Sequence, residues 1–80
     1  MDEMKTLTYN VIYEGDDEHG WSAFVPDLPG VATAGDTREE TRALMHRAIE
    51  LHVSGMIEDG ITIPEPTPAF VEPMSVDAAA

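Results

Sequence analysis

The chain has 80 residues, of which 16 are aspartate or glutamate and 4 are lysine or arginine, so its formal net charge is −12. That length allows one small domain, and the negative charge disfavours direct binding of nucleic acid because it repels phosphate backbones. The absence of cysteine excludes a disulfide framework, a thiol nucleophile and a thiolate zinc site.

The N-terminus has no basic region followed by an apolar run, and no apolar stretch approaches the roughly 18 residues of a membrane helix. We therefore expect a soluble, cytoplasmic protein with no membrane association. A chain this short buries only about 60% of the surface that its unfolded form exposes, so a homo-oligomer or a complex with another protein is expected. The charge either maintains solubility or attracts a basic protein partner.

The first half of the chain predicts three strands. Residues 6–14 alternate between two sets of side chains, which is the period of a strand with two different faces. The face expected to be buried comprises Leu7, Tyr9, Val11 and Tyr13. A polar turn between two glycines, residues 15–20, predicts an antiparallel hairpin with a second strand at residues 21–25. Two prolines in residues 26–30 end that strand, because proline lacks the N–H that a ladder needs, and a third strand is expected at residues 31–34.

A long helix is predicted to follow the strands. Thr37 and Glu40 have the spacing of a capping box, so the helix should begin at Arg38 and continue to about Glu58. Gly60 is well placed to end it, since glycine readily adopts the left-handed conformation found there. Two apolar stripes at helical spacing are expected to lie across the sheet. They consist of Leu44, Ala48, Leu51 and Gly55, and of Met45, Ile49, His52 and Met56.

A short fourth strand is predicted at residues 61–63, and three alternating prolines at positions 64, 66 and 68 favour an extended arm after it. The expected order is β-β-β-α-β, an α+β fold with one helix on a small, mainly antiparallel sheet. We expect one domain at residues 1–66 and an extended or disordered C-terminal tail at residues 67–80. The apolar residues of that tail either remain mobile or dock on a neighbouring molecule.

The residues with catalytic or metal-binding potential do not form a recognisable site. Asp16, Asp17 and Glu18 are adjacent in a turn, whereas calcium loops space their ligands at alternating positions around a glycine. His46 and His52 are six residues apart and lie on different helix faces, so they cannot chelate one ion as an i, i+4 pair would. A two-metal nuclease would also need a cationic surface. We therefore expect no metal, no cofactor and no enzymatic activity.

Several stretches of the sequence together resemble the HicB family of antitoxins. They are YNVIYE at residues 9–14, GWSAFVPDLPG at 20–30, GDTREE at 35–40, AI at 48–49 and GITIPEP at 60–66. The combination is specific, whereas no single stretch would be. The resemblance implies a partial ribonuclease-H-like fold that is not used as a nuclease, in agreement with the element order derived above.

The resemblance also implies a protein partner. Members of the family usually bind and block HicA, a small basic toxin with a double-stranded-RNA-binding-like fold that cleaves messenger RNA. Many members carry a C-terminal DNA-binding module that acts on the operator of their own operon. We expect no such module after Phe70, and therefore no direct nucleic-acid binding by this chain.

The expected mechanism is steric, with the antitoxin covering the surface of the toxin that faces RNA. The contact residues expected in that complex are Asp16, Asp17 and Glu18 in the exposed turn, with Trp21 and Asp27 nearby, because they combine an aromatic anchor with charge that attracts a basic protein. The alternative function is a stand-alone homo-oligomeric regulatory or interaction domain with no toxin partner.

Overall fold

The computed structural model describes residues 5–79, which form a three-stranded antiparallel sheet covered on one face by a helix. The elements are β1 (Ile12–Asp16), β2 (Gly20–Phe24), β3 (Ala32–Gly35) and α1 (Arg38–Glu58), and the strand order is β1-β2-β3. The predicted α+β class is confirmed, while the likeness to ribonuclease H stays a prediction. Within residues 5–79, none of the helical structure is long and apolar enough to cross a membrane.

The core lies between the sheet and α1. Along β2 and just after it, Ala23 and Val25 are buried, while Phe24 between them is exposed on the other face. Tyr13 of β1 and Thr33 of β3 stand directly opposite Ala23, so they share its face. The buried apolar side chains of this face and of α1 form one cluster. It consists of Ala23, Val25, Leu28, Val31 and Met45.

The proline-flanked connection between β2 and β3 closes the core at one end. Leu28 is only 1% exposed. It is held in place by two backbone hydrogen bonds, from its own N–H to the carbonyl of Val25 and from the N–H of Val31 to its carbonyl. The predicted break in the sheet is confirmed, although β2 and β3 are each displaced by one residue from the predicted ranges 21–25 and 31–34.

The first strand is shorter than predicted. The alternation expected for residues 6–14 is present, since Leu7, Tyr9, Val11 and Tyr13 are half-buried and the polar residues between them are exposed. Pairing nevertheless begins only at Ile12, which stands opposite Phe24 at the end of β2. Residues further back would need partners within the turn that contains two prolines, where donors are missing. The prediction of a strand at residues 6–11 is therefore wrong, and that segment runs beside the sheet without a ladder.

The predicted helix bounds are confirmed at both ends. The Thr37 hydroxyl accepts the N–H of Glu40 at 3.0 Å, as an N-cap should. At the other end Gly60 has a φ of +68° and donates to the Ile57 carbonyl, and Ile61 donates to the Met56 carbonyl. These two bonds form a Schellman motif, which ends the helix.

One of the two helix stripes predicted to face the sheet does so only in part, because Ala48 packs against the core but the two leucines of that stripe do not. Leu44 is 45% exposed and Leu51 is 61% exposed, whereas Met45 and Thr41 are buried. The helix packs on β3 and β2, and its approach to β3 is close at Gly35, where an added Cβ would lie 2.8 Å from the Thr41 hydroxyl oxygen. This close approach of the helix to Gly35 turns Thr41 and Met45 inward and leaves Leu44 and Leu51 toward solvent.

The predicted fourth strand is also wrong, because residues 61–63 form no ladder in the part of the chain that the structure describes. Successive N–H groups of an extended chain point to opposite sides, so prolines at 64, 66 and 68 remove every donor along one side. Side-chain contacts hold this segment instead. Tyr9 donates to the Pro64 carbonyl, Asn10 donates to the Thr67 carbonyl at 3.2 Å, and the Thr67 N–H donates to Asp27 at 2.8 Å.

Residues 68–79 have no helix or strand, and their side chains are exposed. The boundary predicted between a domain at residues 1–66 and a tail at 67–80 stays a prediction.

Candidate functional site

The turn between β1 and β2 is organised by the Asp16 carboxylate. One oxygen of Asp16 accepts the backbone N–H groups of Glu18 at 3.0 Å and His19 at 2.7 Å, and it also lies 3.0 Å from the His19 ring nitrogen Nδ1. These contacts, chiefly the backbone N–H of His19, lower the pKa of Asp16 below its ordinary value. The turn is therefore locally closed and keeps Asp16 ionised, although every side chain in it is exposed to solvent.

Trp21 is attached to the same turn. Its indole Nε1 donates to a carboxylate oxygen of Asp17 at 2.7 Å, and the side chain is half-buried. In the strand register Trp21 stands between Gly15 and Gly35, so no side chain flanks the indole in the neighbouring strands. The hydrogen bond and the two glycines together present one edge of the sheet as a fixed aromatic surface beside carboxylates.

A shallow depression of about 720 Å³ opens beside Trp21 at this end of the sheet. Besides Trp21 and the glycines, it is lined by His19 and by the carboxylates of Glu14, Asp36 and Glu40. Among residues 5–79, no three or more histidine or acidic side chains are placed to share a metal ion. Carboxylates around an indole suit an arginine or lysine side chain of a partner, which would gain both ion pairing and contact with the aromatic face. We call this surface, made of residues 14–21 with Asp36 and Glu40, the acidic end.

Four of the five predicted contact residues are brought together here. Asp16, Asp17, Glu18 and Trp21 lie in or beside the turn. The expectation that Asp27 lies nearby is wrong, because β2 separates it from the turn. The turn precedes the first residue of β2, whereas Asp27 follows the last one and accepts the Thr67 N–H. Asp27 therefore belongs to the contacts that hold the C-terminal segment.

Sequence reasoning missed the contribution of Glu14, Asp36 and Glu40 to this surface. Their positions at the ends of predicted elements were visible in the sequence. Their convergence, however, depends on the register that sets Asp16 opposite Gly20 and Trp21 opposite Gly35. A one-residue change in register would have moved Glu14, which lies in β1, to the other face.

Comparison with known proteins gives a consistent result. The model of a family described as HicB-like antitoxin of bacterial toxin–antitoxin systems matches residues 9–76. A protein named Antitoxin HicB 2 from Photorhabdus laumondii is 41% identical over 78 residues, which is 92% of this chain and 55% of that protein. Antitoxin HicB 1 of the same organism is 35% identical over 81% of this chain and 42% of its own length.

Another relative has a length similar to that of the present chain. A UPF0150 protein from Synechocystis is 34% identical over 68 residues, and the match covers 85% of both chains. The chain thus spans about half the length of the relatives named HicB and most of the length of the Synechocystis protein.

Proposed function

Because the chain belongs to the family of HicB-like antitoxins, we propose that it binds a small basic HicA-type toxin and sterically blocks its cleavage of messenger RNA. The proposed site of action is the cytoplasm, and the chain acts there by occupying the toxin, without catalysis of its own. The observation that carries the proposal is the acidic end, where a closed turn holds three exposed carboxylates next to an oriented tryptophan.

The acidic end is suited to recognising a basic protein for two reasons. Its carboxylates are exposed, so they act over about one Debye length, roughly 8 Å at physiological salt, and accelerate encounter with a cationic surface. Its turn is already ordered by the bonds to Asp16 and Asp17, so little conformational entropy would be lost on binding. Trp21 would then supply the apolar anchor that charge alone lacks.

We also propose that the protein self-associates. Among residues 5–79, the core has five buried apolar side chains, and several large apolar side chains are exposed on α1 and in the C-terminal segment. A small domain of this kind gains stability when another copy covers such residues.

The test is neutralisation of a HicA-type toxin by co-expression, with cell growth as the readout. The decisive variant reverses Asp16, Asp17 and Glu18 to lysine; each reversal adds two charges, so the net charge changes from −12 to −6. The matched control reverses Glu39, Glu58 and Asp59, which are exposed and lie outside the acidic end, and therefore has the same net charge.

We expect the turn variant to lose growth rescue and the control to retain it. Binding measured with purified proteins should weaken at least about tenfold in the turn variant and become less sensitive to salt. Equal behaviour of the two variants would show that only overall charge matters. Failure of the unaltered protein to rescue growth would instead favour the stand-alone homo-oligomeric domain.

A further inference from the structure

A large groove lies beside the core, between α1 and residues 5–13. Its volume is about 1140 Å³, and it is open along one side. The groove exists because α1 packs on β2 and β3, while the extended segment before β1 has no partner strand. Its large apolar lining residues are Leu7, Tyr9, Val11, Tyr13, Met45, Ile49 and Val53. All but Leu7 are members of the core cluster or pack against it, so the groove is an uncovered side of the core.

Charged and titratable side chains lie on both walls of the groove. Arg42 and His46 lie one helical turn apart on α1, and Lys5 lies on the opposite wall, where its ammonium pairs with Glu65 at 2.7 Å. Glu50 contributes one carboxylate, which is 3.5 Å from the His46 ring. Lys5 and Arg42 are half of the four lysines and arginines of the whole chain. Because Glu65 offsets Lys5, the groove fits a mainly apolar occupant with a carboxylate that can pair with Arg42.

The chain contains a segment with that composition, residues 69–77. Its four large apolar side chains, Phe70, Val71, Met74 and Val76, are between 80% and 85% exposed. Its only charged residues are Glu72 and Asp77. The radius of gyration, 15.9 Å, exceeds the 11–12 Å or so of a compact chain of this length, because the segment projects from the domain. We call residues 69–77 the apolar tail.

Two prolines limit how the tail can fold back onto its own groove. The Pro64 carbonyl contacts Tyr9, whose side chain lines the groove, whereas the Thr67 carbonyl contacts Asn10, which is exposed and points to the other face. These bonds hold the chain beside Tyr9 and Asn10 as far as Thr67. Pro68 and Pro73 keep the residues before them extended, so a tight reversal back to the groove is disfavoured at both positions.

We propose that the apolar tail of a second copy fills this groove, and that two copies exchange tails reciprocally. The large apolar side chains of the tail cover the half-buried residues that line the groove. The carboxylates of the tail lie toward Arg42 and His46. The exchange is isologous, so one kind of contact occurs twice and closes a dimer. A groove this long and open suits a chain segment better than a small molecule, whose pockets measure about 300–1,000 Å³ and enclose the ligand. The inference rests on the self-association proposed above and names the segment responsible.

The first experiment measures the mass of the full chain by sedimentation or light scattering over a range of concentrations. The tail variant combines F70A and M74A; both side chains are exposed, so the domain itself should fold unchanged. The matched control combines L44A and L51A, which removes exposed apolar side chains from α1 instead. We expect the tail variant to dimerise at least about tenfold more weakly and the control to match the unaltered chain. Equal dimerisation of the two variants would overturn the exchange.

The second experiment identifies which tail enters the groove. The chain has no cysteine, so S75C provides one attachment point for a nitroxide spin label. A spin-labelled copy is mixed with an unlabelled, ¹⁵N-enriched copy, and line broadening is recorded for the amides of Val11, Ile49 and Val53. Broadening in the mixed sample supports exchange between copies. A second sample contains one copy that carries both the spin label and ¹⁵N, diluted with unlabelled protein. Broadening in that sample alone would show that the tail folds onto its own groove, and it would overturn the proposal. The absence of broadening in both samples would overturn it as well.

The outcomes separate the different proposals. A dimer that persists in the tail variant overturns the exchange but leaves self-association standing. A chain that stays monomeric at its highest soluble concentration overturns both. Neither result affects toxin blocking, which is read from growth rescue by variants of the acidic end.

Discussion

The acidic end and the groove differ in how completely their side chains are satisfied, by hydrogen bonds at the acidic end and by burial in the groove. At the acidic end, Asp16 and Asp17 already accept hydrogen bonds from their own turn and from Trp21, and their remaining capacity faces water at little cost. In the groove, core side chains such as Val11 and Ile49 remain only half-buried. A surface of the first kind can bind and release a partner without affecting the fold, whereas a surface of the second kind gains stability only when it is covered.

The acidic end should be disrupted most strongly by G15A. Gly15 has a φ of +125°, and a Cβ there would lie 2.1 Å from the Gly20 carbonyl oxygen, which belongs to the backbone and cannot move aside alone. Backbone strain and overlap together should cost about 4 kcal/mol of the free energy of unfolding. The measurement is urea denaturation followed by the fluorescence of Trp21, the single tryptophan.

G30A is the matched control for this substitution. Gly30 has a φ of +92°, but a Cβ there would meet nothing within 4 Å, so only the conformational cost of about 1 kcal/mol should remain. Similar losses in G15A and G30A would show that the close contact at Gly15 is unimportant.

The groove side should be most sensitive at Met45. This side chain is 1% exposed and belongs to both the core cluster and the groove lining, so M45A should cost about 3 kcal/mol through lost burial and the cavity left behind. L51A, at a position that is 61% exposed, should change the free energy of unfolding by less than about 0.5 kcal/mol. Chemical denaturation of both variants tests the assignment of the inward face of α1, and equal losses would contradict it.

The contacts that hold residues 64–67 should be weakened by D27A. This change removes the acceptor of the Thr67 N–H and should cost about 1 kcal/mol locally. Hydrogen exchange should therefore become faster at the Thr67 amide while the amides of α1 keep their protection. Exchange that accelerates equally in α1 would mean that Asp27 supports the whole domain.

The same contacts should loosen at alkaline pH. Burial, followed by the charges of Glu65 and Asp27, raises the pKa of Tyr9 above its ordinary value. A group whose pKa is raised in the folded state stabilises fully below its unfolded pKa, near 10, and loses that contribution as pH rises through the folded pKa. Thr67 exchange should therefore become less protected in that range in the unaltered chain but not in Y9F, which lacks the titrating hydroxyl.

The smallest effect is expected from acid at the turn. The lowered pKa of Asp16 means that its contribution is present above its unfolded pKa, near 3.8, and is lost as pH falls through the lower folded value. Trp21 fluorescence should change in this acid range, before or without loss of the helical circular dichroism signal. In D16A the change attributable to Asp16 should be absent, and an unaltered titration in D16A would assign it to another group.

Local signals in the sequence were sufficient for the helix and the turns. Thr37, Glu40 and Gly60 act on their immediate neighbours, so the bounds of α1 followed from them directly. The acidic turn was equally visible, because adjacent carboxylates between glycines leave nothing to bury.

Features that depend on a distant partner could not be predicted in the same way. The start of β1 was set by where β2 ends, and the inward face of α1 was set by the missing Cβ of Gly35. Asp27 was placed wrongly because it and the acidic turn both flank β2 in the sequence, yet they lie at opposite ends of that strand. Each error concerned which residues meet across the fold, whereas the types of the elements were right except after the helix.

The alternating prolines at positions 64, 66 and 68 have a consequence for how far assembly can proceed. The unpaired backbone at residues 5–11 is the kind of exposed template on which fibres grow by strand addition. Residues 64–68 lie beside this backbone, where Tyr9 and Asn10 hold them by hydrogen bonds. They lack every second amide donor, so a further strand cannot add to them. The prolines therefore oppose strand addition along this edge of the domain, while the core beside it stays partly open.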